Sequence, residues 1–280
     1  MDMKGKVVFI TGATSGIGTE TALSLAKLGA TVAFTTRDEW KGETTRQDIV
    51  RLSGGNQNIE PYLCDLASFD SMRRCVLAFQ AKHDRIHVLI NNAGTWERER
   101  TLSKDGVETT WAVNVLAPFL LSSLLLPALE KGAPSRIVNL TSGLHDRGRL
   151  DFDDLERARG KFDGSDAYTQ SKLAVNLLTF EMARRLAGRN ITANAVAPGW
   201  VATKLSRNAN AFSRAIMNMM AAKPSKGALT PVYAASSPEL EGVTGRYLKD
   251  SKVAEPSPQS NDDENARKLW ELCDARTRLQ

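Results

Sequence analysis

The stretch "KVVFITGATSGIG", residues 6–18, joins a short apolar run to three closely spaced glycines. A continuous apolar run of this length suits a strand that is buried on both faces of a sheet. Gly12, Gly16 and Gly18 follow at G-x-x-x-G-x-G spacing, which allows a tight turn and close approach of the backbone to a ligand. The amides that open the next helix would then face a pyrophosphate, assisted by the helix dipole. The stretch predicts a strand, a dinucleotide-binding loop and a helix; a purely structural turn is the alternative.

Strands and helices alternate through the rest of the chain. The apolar runs "TVAFTT", "IEPYLC", "HVLINN", "RIVNLT" and "ITANAV" are separated by helical patterns such as 40–53 and 68–82. This alternation predicts an α/β fold: a single-domain, Rossmann-type, doubly wound parallel sheet with helices on both faces. After residue 250 a Pro/Ser turn and a short amphipathic helix follow. We therefore expect residues 1–250 to form a dinucleotide-binding catalytic domain and residues 251–280 a C-terminal arm that packs on it.

Composition and charge argue against several classes of protein. Of the 280 residues, 42% are hydrophobic and 25% are charged, as in an ordinary soluble globular protein. The net charge is +5 but forms no basic run, so no nucleic-acid partner is expected. Cys64, Cys75 and Cys273 lack metal-ligand spacing, which indicates a reducing compartment and no metal site. No apolar stretch approaches the roughly 18 residues of a membrane span, so we expect no membrane span and a cytoplasmic protein.

A tyrosine and a lysine lie four residues apart in "YTQSK", residues 168–172. The apolar spacing of "LAVNLLTFEMARRLA" predicts a helix here, so Tyr168 and Lys172 share one face of it. A phenol has a pKa of about 10, and a neighbouring ammonium would lower that pKa towards the range useful for proton transfer. The pair is a candidate acid or base, although a Tyr–Lys pair taken alone is more often a surface feature without chemistry.

Several motifs occur together along the chain: "TGATSGIG" at 11–18, "NNAG" at 91–94, Asn114, Ser142, "YTQSK" and "PGWVAT" at 198–203. In this order and approximate spacing, over about residues 5–250, the chain resembles the short-chain dehydrogenase/reductase family. The segments "TTRDEWKGE", "SGLHDRGRLDFDDL" and "RKLWELC" resemble its retinol-dehydrogenase-like branch. The resemblance implies a nicotinamide-dependent oxidoreductase: a carbonyl reductase, or an alcohol dehydrogenase acting on CH–OH donors.

The resemblance also implies a catalytic set of four residues. Tyr168 would exchange a proton with the substrate oxygen, while Lys172 would lower the pKa of Tyr168 and hold the nicotinamide ribose. Ser142 would donate a hydrogen bond to the same oxygen, where charge develops. Asn114 would hold a water of the proton relay. His145, three residues after Ser142, is expected to be a loop or pocket histidine, not a catalytic one.

The residues "TTRD" at 35–38, after the second predicted strand, bear on the choice of cofactor. Many NAD enzymes place a carboxylate here for the ribose 2′-hydroxyl, whereas a guanidinium suits the 2′-phosphate of NADP. Arg37 comes first, so we expect NADP(H) to be preferred over NAD(H). In the alternative, Arg37 is a surface residue and Asp38 binds the ribose. By resemblance, the remaining cofactor contacts would be Ser15, Ile17, Asp65, Leu66, Asn92, Ala93, Gly94, Pro198, Gly199, Val201 and Thr203.

Residues 204–227 are expected to form a substrate lid, as in the family that the chain resembles. The apolar residues of this segment recur at helical intervals, which fits a core-packing helix equally well: Phe212, Ile216, Met217, Met219 and Met220. The long stretch 143–167 would form the opposite wall, and Trp96 is either a pocket wall or surface packing. These features predict a bulky, largely apolar ketone or aldehyde and its alcohol as substrates. The resemblance allows a homodimer or a homotetramer.

Two other functions compete with the enzyme hypothesis. A catalytically silent NADP-binding regulator of the same fold would be marked by loss of Ser142, Tyr168 or Lys172, and all three are present. A nucleotide-sugar epimerase or dehydratase shares the Tyr-x-x-x-Lys pair, but usually has T-G-x-x-G-x-x-G and a larger C-terminal domain. The sequence therefore favours the oxidoreductase.

Overall fold

The computed structural model describes residues 2–199 and 223–278. The predicted cofactor contacts Val201 and Thr203, and the five apolar residues of the predicted lid, lie outside these described residues. Residues 223–227 of the predicted lid segment are described.

The centre of the fold is one eight-stranded sheet. Its strands are β1 (Val7–Ile10), β2 (Thr31–Thr36), β3 (Ile59–Leu63), β4 (Val88–Asn91), β5 (Ser135–Leu140), β6 (Ile191–Ala197), β7 (Tyr247–Lys249) and β8 (Lys252–Ala254). They are ordered β3-β2-β1-β4-β5-β6-β7-β8. All neighbours pair in parallel except β7 and β8, which are antiparallel. The predicted Rossmann-type parallel sheet is confirmed.

Helices connect the strands and cover the sheet. They are α1 (Gly16–Lys27), α2 (Glu39–Leu52), α3 (Phe69–Gln80), α4 (Thr109–Trp111), α5 (Ala117–Leu124), α6 (Leu126–Lys131), α7 (Gly164–Arg185), α8 (Pro224–Gly227), α9 (Leu229–Ser236) and α10 (Asp263–Arg278). A π-helical turn, Ala112–Leu116, joins α4 to α5. In the part of the chain that the structure describes, no helix has the length and apolar character needed to cross a bilayer.

Strand β1 shows why the apolar run of the sequence is continuous. Successive side chains of a strand point to opposite faces of its sheet. Phe9 packs into one core cluster, whereas Val8 and Ile10 pack into a second one. The first cluster also receives residues of α3, α5, α7 and α10, and the second receives residues of α1, α2 and α9. Both faces of the sheet are therefore buried, and each position of the strand must be apolar.

The strand order places a topological switch point beside the glycine loop. From β1 the chain runs through β2 to β3 at one edge, then crosses to β4 on the other side of β1. In open sheets of this kind, ligands bind outside the carboxyl ends of the strands where the order reverses. The loops after β1, β2, β3 and β4 are thereby brought to one edge.

The C-terminal part contains a hairpin that the sequence did not reveal. Strands β7 and β8 extend the sheet, and the predicted division of the chain at residue 250 falls in the turn between them. Asp250 and Ser251 both have positive φ, 51° and 55°, as in the type I′ turns that match strand twist. Beyond it, α10 packs on α7, and Trp270 lies between the Phe119 ring (4.8 Å) and the Arg185 guanidinium (4.7 Å).

Replacing Phe9 by Ala should destabilise the fold strongly. Phe9 is fully buried and meets the Phe79 ring edge-on at 5.1 Å. Its loss leaves a cavity, so we expect a decrease of ~3–5 kcal/mol in the free energy of unfolding, measured by urea denaturation. Leu77→Ala on α3 is the control, since that side chain is 66% exposed and its truncation should change stability by less than about 0.5 kcal/mol. Equal losses for the two variants would contradict this account of the core.

Candidate active site

The glycine loop after β1 is held in a compact form by its own residues and by β4. Gly12 and Gly16 have positive φ, 71° and 61°, which side chains rarely adopt. A Cβ on Gly18 would collide with the Gly12 carbonyl oxygen. Asn92 Nδ2 donates to the carbonyl oxygens of Thr11 (2.8 Å) and Gly12 (3.2 Å). The loop therefore depends on glycine at these positions, and Asn92 braces it.

The first turn of α1 lacks the usual protein partners for its amides. Ser15 is the N-cap residue, but its side chain makes no capping hydrogen bond. The first turn also contains no Asp or Glu. Since the first amides of a helix have no partner within the helix, this terminus is suited to bind an anion.

A cavity of about 330 Å³ runs along this edge of the sheet. The predicted cofactor residues that line it are Gly12, Ser15, Gly16, Ile17, Gly18, Arg37, Asp65, Leu66, Asn92, Ala93, Gly94, Tyr168, Lys172 and Pro198. Gly199 was also predicted, but it is not in the lining. The structure thus brings together residues that are up to 186 positions apart, from Gly12 to Pro198 (198 − 12).

The end of the cavity beside β2 carries two basic side chains. Arg37 and Lys41 both line it, and the sequence reasoning missed Lys41. Arg37 precedes the N-cap residue Asp38, whereas Lys41 lies in the first turn of α2, so helical spacing does not relate the two side chains. Asp38 is instead the N-cap of α2, where its Oδ1 accepts from Lys41 N at 2.7 Å. Asp38 does not line the cavity, which weakens the alternative that it binds the ribose.

The opposite end of the cavity holds a buried lysine on α7. Lys172 is 4% exposed, and its Nζ donates to the Leu140 carbonyl oxygen at 3.0 Å. Across the described residues, no carboxylate lies within ion-pair distance of Lys172. Burial therefore lowers the pKa of Lys172 to about 8. An ammonium in this state is available to hydroxyl or phosphate oxygens of a ligand.

Tyr168 lies one turn before Lys172 on the same helix and is also buried. The ammonium is 5.6 Å from the centre of the phenol ring. The sequence predicted that Lys172 lowers the pKa of Tyr168, whereas the net shift of this pKa in the structure has the opposite sign. Burial raises the pKa of Tyr168 to about 12, and the opposing effect of a hydrogen bond with Ser142 is smaller. The desolvation of the phenolate outweighs its stabilisation.

Ser142 lies two residues beyond the end of β5 and hydrogen-bonds to Tyr168. Its Oγ accepts from Leu144 N at 3.2 Å as the cap of a short 3₁₀ helix, Gly143–Arg147. One lone pair of Oγ is thereby used by the backbone, which leaves the hydroxyl proton available for donation. Thr141 Oγ1 donates to the Lys172 carbonyl oxygen at 2.9 Å and so fixes the end of β5 against α7.

Asn114 lies within the π-helical turn after α4, a rare conformation that often marks functional sites. Its Oδ1 accepts from Thr95 N at 2.8 Å. Both amide protons are also used, in bonds to Thr95 O and to Ser171 Oγ, each 2.9 Å. The side chain therefore ties the loop after β4 to α7, and only the second lone pair of Oδ1 could serve a water.

The structure resolves the alternatives for Trp96. Its indole stacks on the Tyr168 ring, with centroids 5.6 Å apart and planes 28° apart, and it lines the cavity. The stretch 143–167 was predicted to form the wall opposite the lid, and this stays a prediction because most of the lid lies outside the described residues. Leu150, Phe152 and Leu155 pack against the core.

A larger cavity of about 740 Å³ lies between α5, α7 and α10. It contains none of the predicted site residues. Its arginines are engaged within the protein: Arg185 with Glu181 (2.6 Å) and Arg189 with Glu130 (2.9 Å). We therefore place the candidate active site in the smaller cavity.

Comparison with known proteins bears on the identity of this site. The family model described as short chain dehydrogenase matches residues 6–214, well over half of the chain. The chain belongs to the short-chain dehydrogenase family. Retinol dehydrogenase 13 of Mus musculus is 39% identical over 274 residues, covering 95% of this chain and 82% of that protein. Polyprenol dehydrogenase of Mus musculus is 41% identical over 276 residues, with 95% and 82% covered.

A solved structure supports the same assignment. An uncharacterised protein from Mycobacterium Paratuberculosis has a TM-score of 0.80 to this chain at 31% identity, covering 99% of this chain and 95% of that one. This short-chain dehydrogenase is therefore an oxidoreductase of the retinol-dehydrogenase-like branch, as the sequence predicted. Its family binds nicotinamide cofactors and acts on small molecules.

Lys172→Met should stabilise the cofactor-free dehydrogenase. The folded-state pKa of Lys172 is about 8, against 10.5 for the ordinary group, so the unfolded chain binds more protons between these values. The contribution of this lysine to stability is thus unfavourable below pH 8 and improves as the pH rises to about 10.5. We expect Met to raise the free energy of unfolding at pH 7 by ~1–3 kcal/mol and to flatten the pH dependence in this window.

Denaturant titrations at pH 7, 8, 9 and 10 would measure this effect. Tyr168 acts in the opposite sense, but only above pH 10, where its unfolded form begins to ionise. Lys27→Met, at an exposed position on α1, is the control and should leave the pH profile unchanged. A Lys172→Met protein less stable than the parent at pH 7 would mean that the ammonium is well solvated.

Proposed function

We propose that this dehydrogenase uses NADP(H) to interconvert a bulky, largely apolar ketone or aldehyde and its alcohol. The observation that carries the proposal is that Tyr168 and Lys172 line one end of the cavity and that Ser142 hydrogen-bonds to Tyr168. A phenol, a hydroxyl and a fixed cation together suit a carbonyl oxygen that gains negative charge during reduction.

The chain's residues fit a nicotinamide dinucleotide. The absence of a Cβ on Gly18 keeps the loop close to β4, and the uncapped amides of α1 suit the pyrophosphate. Asp65 and Leu66 would contact the adenine, and the buried Lys172 ammonium would hold the ribose hydroxyls next to the nicotinamide. When bound, the cofactor supplies or accepts the hydride.

Tyr168 Oη is the proton donor in the reductive direction. Because burial raises its pKa to about 12, the phenol is protonated at neutral pH. An alkoxide is a much stronger base than a phenolate, so the proton moves from Oη to the substrate oxygen as negative charge forms there. Ser142 Oγ donates to the same oxygen, and the Lys172 ammonium stabilises the phenolate left behind. Asn114 Oδ1 keeps one lone pair for a water that returns the proton.

The hydrogen bond between Ser142 and Tyr168 favours an enzyme over a catalytically silent regulator. A regulator that binds only the cofactor needs the glycine loop, Arg37 and Lys172. Such a regulator has no use for a serine hydroxyl that hydrogen-bonds to a buried phenol. In an enzyme, these two groups would meet the reacting oxygen of the substrate. The pair therefore supports turnover.

Two basic residues at the β2 end of the cavity support the phosphorylated cofactor. Within residues 2–199 and 223–278, no carboxylate forms an ion pair with Arg37. Asp38, which would repel a 2′-phosphate, caps α2 instead. A guanidinium and an ammonium four residues apart suit the 2′-phosphate.

The surroundings of Tyr168 support an apolar substrate. Trp96 covers the phenol ring with an apolar surface. Two similar proteins are named for retinol and polyprenol, both long apolar alcohols. An isoprenoid aldehyde or alcohol is thus the first class of substrate to test.

Tyr168→Phe should abolish turnover while leaving cofactor binding near normal, since only the acidic proton is lost. We expect reduction of all-trans-retinal with NADPH to fall by at least ~10²-fold. NADPH oxidation at the nicotinamide absorbance measures the rate, and fluorescence titration measures binding. Tyr233→Phe, on the partly exposed α9, is the control. A Tyr168→Phe enzyme of near-normal rate would remove Tyr168 from the mechanism.

Faster turnover of small charged ketones than of retinal by the parent would exclude an apolar pocket.

Arg37→Asp should reverse the choice of cofactor. A charge-assisted contact with the 2′-phosphate becomes a repulsion, so kcat/KM for NADPH should fall at least ~10-fold more than that for NADH. Arg51→Asp, at the exposed end of α2, is the matched control and should leave the NADPH/NADH ratio unchanged. A parent enzyme that binds both cofactors equally would show that Arg37 does not contact the phosphate.

A further inference from the structure

His145 is buried between the catalytic serine and the C-terminal part of the chain. Its side chain is 2% exposed. Nδ1 lies 2.7 Å from the Ser142 carbonyl oxygen, and Nε2 lies 3.0 Å from Ser257 N. The ring also contacts Tyr247 on β7, with centroids 5.0 Å apart. His145 thus bridges positions 142 and 257 without lining the cofactor cavity.

The bridge continues back to the helix that carries Tyr168 and Lys172. Ser257 Oγ lies 3.0 Å from Ser260 Oγ, and Asn176 Nδ2 donates to Ser260 Oγ at 3.0 Å. Asn176 is fully buried and lies one turn after Lys172 on α7. Residues 257–260 therefore join the loop that follows Ser142 to the catalytic face of α7.

The hydrogen bonds determine which nitrogen of His145 carries the proton. A carbonyl oxygen can only accept, so Nδ1 must donate to Ser142 O. An amide N–H can only donate, so Nε2 must be unprotonated to accept from Ser257. We propose that Ser257 N–H selects the Nδ1–H tautomer of His145, and that this tautomer positions Ser142 for catalysis. His145 is then a positioning residue.

One charged group offers an alternative partner. Asp146 Oδ1 lies 3.0 Å from Nε2, and it would pair with His145 if both ring nitrogens were protonated. Asp146 is 65% exposed, so water can solvate its carboxylate, whereas the bond from Ser257 N is buried. The other titratable group in contact is Tyr247, and burial raises the pKa of this tyrosine to about 12, so it stays neutral. A buried amide that loses its acceptor costs more than an exposed carboxylate that water can solvate, so Nε2 accepts from Ser257 N.

The consequence for catalysis rests on the proposed function. Ser142 Oγ must meet both Tyr168 and the substrate oxygen, and a small misplacement of such a group reduces the rate strongly. The 3₁₀ turn that follows Ser142 is fixed by His145, whose backbone N and Nδ1 both bond to Ser142 O. Loss of the Nδ1 bond should therefore lower kcat and leave cofactor affinity unchanged.

The first test isolates the contribution of the Ser257 N–H by comparing two variants. Ser257 has φ −60° and ψ 150°, a conformation that proline adopts without strain. Ser257→Pro loses the amide proton and the hydroxyl, whereas the matched Ser257→Ala loses only the hydroxyl. We expect kcat for retinal reduction to fall about tenfold more in Ser257→Pro than in Ser257→Ala, with an unchanged Kd for NADPH. Equal kcat values for the two variants would overturn the proposal.

The second test separates the two nitrogens of His145. The amide nitrogen of Asn can replace Nδ1 as donor to Ser142 O, while Gln can replace Nε2 as acceptor but has no donor at the Nδ1 position. We expect His145→Asn to retain kcat within about threefold and His145→Gln to lose about tenfold. Ser257→Pro added to His145→Asn should cause no further loss. Asp146→Asn should be neutral; if it lowered kcat and Ser257→Pro did not, the ion pair would be the true contact.

A readout without turnover separates this proposal from the proposed function. The chain has three histidines, and ¹⁵N NMR of labelled protein distinguishes Nδ1–H from Nε2–H imidazole. The parent and Ser257→Ala should show the Nδ1–H form of His145, and Ser257→Pro should not. An Nε2–H or doubly protonated ring in the parent would refute the tautomer assignment. An active parent with an inactive Tyr168→Phe and unaffected His145 variants would uphold the function and reject the positioning role.

Discussion

In the described part of the chain the buried ammonium of Lys172 has no carboxylate partner, and this constraint governs the architecture of the candidate active site. Burial removes most of the water around the Lys172 ammonium. A hydrogen bond to the backbone carbonyl of Leu140 replaces part of that hydration. An isolated buried charge is unfavourable, so the rest of the fold must hold it in place. The carboxyl end of β5 does this on one side through Thr141, and Gly94 leaves space on another, where a Cβ would lie 3.5 Å from Nζ. The buried ammonium thus lowers the stability of the fold, and it is available to bind a ligand.

Helix α7 is the element that holds the buried ammonium of Lys172 in place. Every residue from Ala167 to Ala183 is buried, so this helix has no solvent-exposed face over that range. The sheet covers one side of it, and α10 with the 3₁₀ turn Pro258–Asn261 covers another. Tyr168, Lys172 and Asn176 follow one another at four-residue spacing on this helix, so one helix aligns the phenol, the ammonium and the contact to Ser260.

The sequence predicted the features that depend on local pattern. Strand β1, the glycine loop and the helix of Tyr168 follow from apolar periodicity and from the conformational freedom of glycine, both of which can be read within about fifteen residues. Features that depend on tertiary surroundings were missed or wrong. The pKa of Tyr168 reflects its burial by Trp96 and α7, and this burial cannot be predicted from residue spacing in the sequence. The sequence offered Asp38 as an alternative ribose ligand, and only the geometry of α2 reveals that its side chain caps this helix.

The contact between His145 and Ser257 joins residues 112 positions apart, whereas every described residue that lines the cofactor cavity lies between Gly12 and Pro198. The two parts of the site are therefore completed at different times as the chain leaves the ribosome. A nascent chain that has emerged only to residue 250 possesses all of those cavity residues, yet His145 still lacks the amide that fixes its ring. The contact between His145 and Ser257 can therefore form only after residues 251–257 have been synthesised.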